Sequence, residues 1–172
     1  MSVCWILVGM MGSGKSAVGR RLAELSGRRY VDTDKLLENR FGRPVSKVFE
    51  LYGEDCFRGH ETSILKGLEP SPIVLATGGG CVLREENWEE FRRLGISIYL
   101  HATPERLIER LQVSRKKRPL LQGENWEDKL KNLYQIRSDI YRKAEMHIEL
   151  DELDIPSVAS AVLTLLQERG ES

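Results

Sequence analysis

A glycine-rich segment near the start of the chain constrains its fold more than any other feature. Residues 9–16 read Gly-Met-Met-Gly-Ser-Gly-Lys-Ser and fit the phosphate-binding pattern GxxxxGK(S/T). An apolar run over 3–8 precedes them, and apolar residues at helical spacing follow from Ala17 onward, so the segment joins a buried strand to a helix. A glycine loop in that position directs several backbone N–H groups at a phosphate. The chain is therefore predicted to bind a nucleoside triphosphate.

The residue types in this segment suit the binding of phosphates. Glycine lets the backbone turn sharply and approach a ligand closely. The Lys15 ammonium can reach the outer phosphates, and the Ser16 hydroxyl can bind Mg²⁺. We expect the nucleotide site to include Gly12, Ser13, Gly14, Lys15, Ser16 and Ala17. The alternative is a glycine turn that binds no ligand and matches the full pattern by chance.

Composition limits the partners and the compartment. With 172 residues the chain is expected to form one domain over 1–172. The formal net charge is zero, so no global field attracts nucleic acid or a membrane, and an anion site has to be built from locally clustered cations. The three cysteines have no close pair, which suits a reducing cytosol. No apolar run approaches the ~20 residues of a membrane span. Because the first strand is predicted to begin almost at once, we expect no signal peptide. We also expect a monomer, since the sequence shows no obvious exposed apolar helix.

Hydrophobic periodicity predicts alternating strands and helices. The strands are expected near 3–8, 29–31, 73–76, 96–100 and 146–150. The helices are expected near 15–26, 33–40, 45–51, 54–68, 85–93, 104–111, 125–143 and 156–168. Short, apolar strands of this kind are typical of an α/β fold in which helices cover both faces of a parallel sheet. The polar, basic segment 112–124 lies between two helices and suits a mobile lid.

Two carboxylates follow the second predicted strand. Asp32 and Asp34 flank Thr33, and the carboxyl ends of parallel strands face the ligand crevice of such a sheet. Asp32 could hold Mg²⁺ through water, while Asp34 could orient or deprotonate an attacking hydroxyl. The alternative is helix capping, because Asp favours the first turn of a helix.

A charged pair interrupts the apolar stripe of the helix over 54–68. Glu61 lies in line with Phe57 and Ile64, and Arg58 is three residues before it, so the two can pair on one helical face. A carboxylate on an apolar face needs a partner. Arg58, held in this way, could present its remaining donors to a substrate carboxylate. A solvated surface ion pair is the alternative.

Three consecutive glycines follow the third predicted strand. Gly78, Gly79 and Gly80 offer backbone N–H groups without side-chain bulk, so a ligand can lie directly against the chain. A plain flexible turn remains the alternative.

Two arginines in the second half of the chain complete the candidate site. Arg137 lies between Leu133 and Ile140 on the inward stripe of the helix over 125–143, and an inward arginine requires an anion, either a structural carboxylate or a substrate. Arg118 precedes Pro119 in the basic lid, where closure would bring it over a transferring phosphate. The basic run over 115–118 also fits a nucleic-acid patch, although it has no interleaved aromatic residues.

Taken together, these motifs resemble those of the shikimate kinases over about residues 4 to 150. The resemblance rests on the phosphate loop, Asp32-Thr33-Asp34, Phe57-Arg58 with Glu61, Gly78-Gly79-Gly80, Arg118-Pro119-Leu120-Leu121, and Arg137 with Tyr141. It implies the P-loop fold of the nucleoside-monophosphate kinases: three α/β/α layers, a five-stranded parallel sheet, a lid and a substrate-binding helical region, here near 32–61. It also implies ATP- and Mg²⁺-dependent phosphorylation of the 3-hydroxyl of shikimate, a step of chorismate and aromatic amino-acid biosynthesis.

The resemblance assigns roles to individual positions. Asp34, Lys15 and Arg118 would be catalytic. Shikimate would contact Asp34, Arg58, Gly79, Gly80 and Arg137. The nucleotide would contact the phosphate loop, Arg118 and, near adenine, Arg110 and Pro156, with Ser16 and Asp32 at the metal. Another small-molecule kinase, such as a gluconate kinase, and a nonenzymatic nucleotide-binding relative remain the alternatives.

Overall fold

A computed structural model describes residues 3–114, 119–150 and 154–171. They form five parallel strands flanked by seven helices. The strands are β1 Cys4–Val8, β2 Arg29–Asp32, β3 Ile73–Ala76, β4 Gly95–His101 and β5 Met146–Glu149. The helices are α1 Lys15–Ser26, α2 Thr33–Phe41, α3 Val45–Lys66, α4 Glu85–Leu94, α5 Pro104–Gln112, α6 Trp126–Tyr141 and α7 Ile155–Glu168. Short 3₁₀ turns cover Cys81–Leu83 and Pro119–Leu121.

Strand β1 occupies the centre of the sheet, in the order β2-β3-β1-β4-β5. All five of its residues are buried, as expected for a parallel strand that is covered on both faces. Leu7 of β1 lies opposite Ala76 of β3 and Ile98 of β4, and Asp32 of β2 lies opposite Ala76. The register therefore brings the segments that follow β1, β2 and β3 to the same edge of the sheet.

The strands and most helices lie within one or two residues of the predicted bounds, and the α/β fold is confirmed. The two helices predicted over 45–51 and 54–68 are confirmed as the two halves of α3. They follow each other within the element Val45–Lys66 and are separated by a kink at Gly53, where φ is 80° and ψ is 170°. Glycine reaches this backbone conformation without steric penalty because it has no Cβ. The kink separates two helical segments that line the same cavity.

The predicted lid, 112–124, is described in part. Its first residue ends α5, and the 3₁₀ turn Pro119–Leu121 precedes α6. Residues 115–118, and with them Arg118, lie outside the described residues. Within the described ranges, no helix has the length and apolar character needed to cross a membrane.

Candidate active site

Two neighbouring cavities open at the carboxyl ends of the strands. The larger cavity, of about 870 Å³, surrounds the phosphate loop. The smaller cavity, of about 410 Å³, lies against α3 and α6. They share the residues Met11, Asp34, Glu38, Gly78 and Gly79. A ligand in one cavity is therefore adjacent to a ligand in the other, with Asp34 and the glycine segment at the boundary.

The larger cavity is built on the loop between β1 and α1. Gly12 and Gly14 have φ values of 84° and 87°, and Gly14 is the N-cap of α1, so the loop leads directly into a helix N-terminus that attracts anions. The Lys15 ammonium donates hydrogen bonds to the carbonyl oxygens of Gly9 at 2.7 Å and Met10 at 2.9 Å. These contacts hold the cation of Lys15 within the loop.

Most predicted nucleotide residues line this larger cavity. They are Gly12, Gly14, Lys15, Ser16, Ala17, Asp32 and Arg110. The guanidinium of Arg110 also donates to the backbone carbonyl of Ser13 at 3.0 Å, which fastens α5 to the phosphate loop. The Ser13 side chain itself is buried. Pro156 is exposed in the first turn of α7, and the preceding residues Asp154 and Ile155 line the cavity.

The two oxygens of Asp32 have different partners. Oδ1 accepts from the backbone N–H of Asp34 at 2.9 Å and caps α2. Oδ2 accepts from the Ser16 hydroxyl at 3.2 Å and from the Tyr30 hydroxyl at 3.0 Å. Asp32 therefore caps α2, but the capping uses only one of its two carboxylate oxygens. The other oxygen meets the Ser16 hydroxyl beside the phosphate loop, and a pair of oxygen donors of this kind suits Mg²⁺.

The smaller cavity contains two arginines that face inward. Arg58 is 7% exposed and Arg137 is 3% exposed, and both line the cavity. Arg58 Nη1 donates to Glu61 Oε2 at 2.5 Å, and Arg58 Nη2 donates to Glu54 Oε1 at 3.1 Å. The inward orientation of Arg137 and the pairing of Arg58 with Glu61 agree with the sequence analysis. Since Glu61 is fully buried, this pair is not a solvated surface ion pair.

Both sides of this cavity retain unsatisfied hydrogen-bonding capacity. Among the described residues, buried Arg137 Nη1 and buried Glu61 Oε1 have no hydrogen-bond partner. Burial raises the pKa of Glu61 to about 7; Arg58 opposes this shift and Asp34 adds to it. A buried donor on a guanidinium without a partner is costly, so the cavity is suited to an anion with further polar groups.

The glycine segment is fastened on both sides. The Gly78 N–H donates to the Thr33 hydroxyl at 3.1 Å, and the Tyr141 hydroxyl donates to the carbonyl oxygen of Gly79. A Cβ at position 80 would lie 2.1 Å from Arg58 Nη2. Gly78, Gly79 and Gly80 line the smaller cavity, so the segment is a wall of the site with defined contacts.

Sequence reasoning missed several residues that line the cavities. Glu38 and Arg106 are among them. Glu38 lies one helical turn after Asp34, and Arg106 one turn before Arg110, so helical spacing from the predicted residues was the available signal. Phe49 and Phe57 form an apolar wall, with ring centroids 4.4 Å apart. Phe49 precedes the kink in α3, whereas Phe57 follows it. Helical spacing from the predicted residues therefore did not point to Phe49.

The fold and the two cavities define a P-loop kinase that acts on a small anionic molecule. Residues 11–167 match the family model described as "Shikimate kinase". A shikimate kinase of Symbiobacterium thermophilum is 43% identical over 169 residues, which cover 96% of this chain and 97% of that protein. One of Neisseria meningitidis serogroup C is 45% identical over 139 residues, or 80% and 81% of the two chains. The chain belongs to the shikimate kinase family and, as a kinase, uses ATP.

Solved structures give the same result. Shikimate kinase from Acinetobacter baumannii in complex with shikimate superimposes with a TM-score of 0.92 at 39% identity, covering 99% of this chain and 96% of that one. A gluconokinase from Sinorhizobium meliloti has a TM-score of 0.61 at 18% identity, covering 99% and 94%. The gluconokinase shares the fold, and the resemblance to shikimate kinases inferred from the motifs is confirmed.

Proposed function

We propose that this chain transfers the γ-phosphoryl group of ATP to the 3-hydroxyl of shikimate and forms shikimate 3-phosphate. The observation that carries the proposal is the pair of buried arginines, Arg58 and Arg137, in a cavity that shares a wall with the phosphate-loop cavity. Cations placed in this way bind a carboxylate, while the ring hydroxyls of the same molecule extend toward the shared wall. The family of this chain and the shikimate complex of its structural relative support the same substrate.

The carboxylate of shikimate is proposed to bind between Arg58 and Arg137. A planar guanidinium can donate two parallel hydrogen bonds to a carboxylate. Glu54 and Glu61 hold Arg58 in place, and the unpaired Nη1 of Arg137 supplies a donor. Gly79 and Gly80 let the ring lie against the backbone.

Asp34 is proposed to orient the attacking 3-hydroxyl and to accept its proton. It lies on the wall shared by the two cavities, where the hydroxyl and the γ-phosphate would meet. A carboxylate within hydrogen-bond reach of the nucleophile can act as a general base.

ATP is proposed to occupy the larger cavity. The backbone of Gly12, Ser13, Gly14 and Ala17 would surround the phosphates, and Lys15 would exchange its contacts with loop carbonyls for contacts with phosphate oxygens. Arg110 and Pro156 are proposed near adenine. Ser16 and Asp32 would hold Mg²⁺, which, when bound, offsets the charge of the phosphates. The transition state spreads negative charge over the equatorial oxygens, and Lys15 is proposed to stabilise that charge. The same role is proposed for Arg118 from the resemblance alone.

An acceptor panel tests the proposed function. ADP release from Mg-ATP is measured with shikimate, gluconate or AMP as the acceptor, and with no acceptor. Turnover that depends on shikimate supports the proposal. Turnover that depends instead on gluconate or AMP would assign the chain to a different acceptor, and ATP binding without turnover would leave a nonenzymatic nucleotide-binding protein.

Replacement of Arg137 by alanine is expected to act mainly on the KM for shikimate. The guanidinium would contact the carboxylate in the ground state and in the transition state alike, so its loss weakens binding more than it lowers kcat. We expect a rise of about tenfold to 100-fold, from the loss of a charged hydrogen bond. Arg142→Ala is the control, because Arg142 is exposed at the end of the same helix. An unchanged KM in Arg137→Ala would identify Arg137 as a structural cation.

Shikimate binding at a pH of about 7.5 is expected to take up protons at Glu61. Because the pKa of Glu61 is about 7, most molecules of the free protein have an ionised Glu61 at this pH. A bound carboxylate adds negative charge and competes for Arg58, so the pKa rises further and the protonated form gains population. Calorimetry in two buffers of different ionisation enthalpy measures the uptake.

Glu61→Gln serves as the control for this proton uptake. The variant keeps the size of the side chain and removes its titration, so its binding heat should no longer depend on the buffer. Buffer-independent heat in the wild-type protein, or the same dependence in both proteins, would contradict the assignment to Glu61.

A further inference from the structure

A buried tyrosine hydroxyl connects two parts of the smaller cavity that are distant in sequence. Tyr141 is fully buried near the end of α6. Its hydroxyl donates to the carbonyl oxygen of Gly79 and lies 3.6 Å from Met10 Sδ in the phosphate loop. One helical turn earlier on α6, Arg137 lies close enough for its charge to favour a lower pKa at this hydroxyl. The hydroxyl thus joins α6 to the glycine segment.

The ring of Tyr141 has little freedom to move. It stacks on Tyr99 of β4, with ring centroids 5.2 Å apart and an interplanar angle of 15°. Burial raises the pKa of Tyr141 to about 12, with Arg137 opposing the shift. The hydroxyl therefore stays protonated at neutral pH and remains a donor to Gly79.

This donor sets the orientation of a peptide group in the cavity wall. The carbonyl of Gly79 and the N–H of Gly80 belong to one planar peptide unit, and in a trans peptide they point in opposite directions. No cis peptide bond is present in the described residues. A carbonyl held toward buried Tyr141 turns the Gly80 N–H away from the core. Gly79 and Gly80 both line the smaller cavity, and two glycines in succession resist such a rotation poorly by themselves.

We propose that Tyr141 is a positioning residue for the acceptor substrate: its hydroxyl fixes the Gly79–Gly80 peptide in the orientation that binds shikimate. The inference rests on the proposed function and deepens it. Tyr141 acts through this peptide, and it is not among the residues that line the larger cavity.

The proposal separates acceptor binding from nucleotide binding. Tyr141→Phe removes the hydroxyl and keeps the ring, so the stack on Tyr99 is retained. We expect the affinity for shikimate to fall about tenfold, since the hydrogen bond that orients the peptide is lost. The affinity for ADP should stay within about twofold of the wild-type value. A role in packing alone would lower the melting temperature without a selective effect on shikimate.

The experiment measures shikimate and ADP binding by calorimetry for wild type, Tyr141→Phe and Tyr99→Phe. The Tyr99 variant removes a hydroxyl from the same aromatic stack and should bind both ligands like wild type. A selective loss of shikimate affinity in Tyr141→Phe supports the proposal. Wild-type shikimate affinity in that variant, or an equal loss for both ligands, overturns it. A wild-type protein that does not bind shikimate overturns the proposed function as well, so the two failures are distinct.

Noncanonical amino acids keep the proposal testable if Tyr141→Phe does not fold. para-Fluorophenylalanine at position 141 fills the space of the hydroxyl without a donor, whereas para-aminophenylalanine restores a donor. We expect shikimate affinity to be recovered with the amine and lost with the fluorine. Equal affinity in the two proteins overturns the role of the donor.

Discussion

Replacement of Asp34 by asparagine is expected to lower kcat by about 100-fold or more, while ATP affinity stays near the wild-type value. Asp34 lies where the two cavities meet, so its carboxylate can reach a hydroxyl presented from the smaller cavity. Asparagine keeps the shape of the side chain but cannot accept the proton. The phosphate contacts of the loop between β1 and α1 are not altered by the substitution.

Rapid-quench measurement of the chemical step, together with ADP titration, checks this expectation. Asp139→Asn is the matched control, because Asp139 is an exposed aspartate of α6 and its replacement should change neither quantity. Wild-type turnover in Asp34→Asn would show that no base is required at this position.

Replacement of Gly80 by alanine is expected to raise the KM for shikimate by about 100-fold or more. The added methyl group would displace Arg58, the proposed charged hydrogen-bonding partner of the substrate. The Cβ of an alanine would lie 2.1 Å from Arg58 Nη2 and 2.7 Å from Nη1. Arg58 is buried and bonded to Glu54 and Glu61, so the guanidinium cannot move away without leaving the site. The backbone at Gly80, with φ −96° and ψ 3°, accepts alanine, which makes the effect steric.

Gly59→Ala is the matched control for this substitution. Gly59 follows Arg58 on α3, and a Cβ there has no atom within 4 Å. Alanine should stabilise the helix by roughly 1 kcal/mol and leave shikimate binding unchanged. The measurement is the steady-state KM of each variant for shikimate and for ATP. A Gly80→Ala enzyme with normal KM for shikimate would mean that Arg58 does not bind the substrate from its present position.

Local rules were sufficient for much of the fold and part of the site. The phosphate loop was recognisable because its glycines, Lys15 and Ser16 stand between a strand and a helix, as its function requires. The pairing of Arg58 with Glu61 followed from a spacing of three residues on an apolar helical face. The inward orientation of Arg137 followed from the stripe on α6. In each case the signal lay within one helix or one turn.

Features that depend on contacts between distant segments were not predictable in this way. Periodicity predicted a helix on each side of Gly53, but it did not show that the kink brings Phe49 and Phe57 to one wall of the smaller cavity. The bond from Tyr141 to Gly79 joins residues 62 positions apart, so its formation depends on how α6 packs against the sheet. The motifs related Tyr141 to the family but gave it no contact.

The most direct test of the central claim is the structure of the reaction product. The protein is incubated with Mg-ATP and shikimate, and the product is examined by correlated ³¹P and ¹H NMR. The proposed geometry predicts a phosphate monoester whose phosphorus couples to the ring proton at carbon 3. Inorganic phosphate alone, or coupling to a different ring proton, would contradict the placement of the 3-hydroxyl against Asp34 and the phosphate loop.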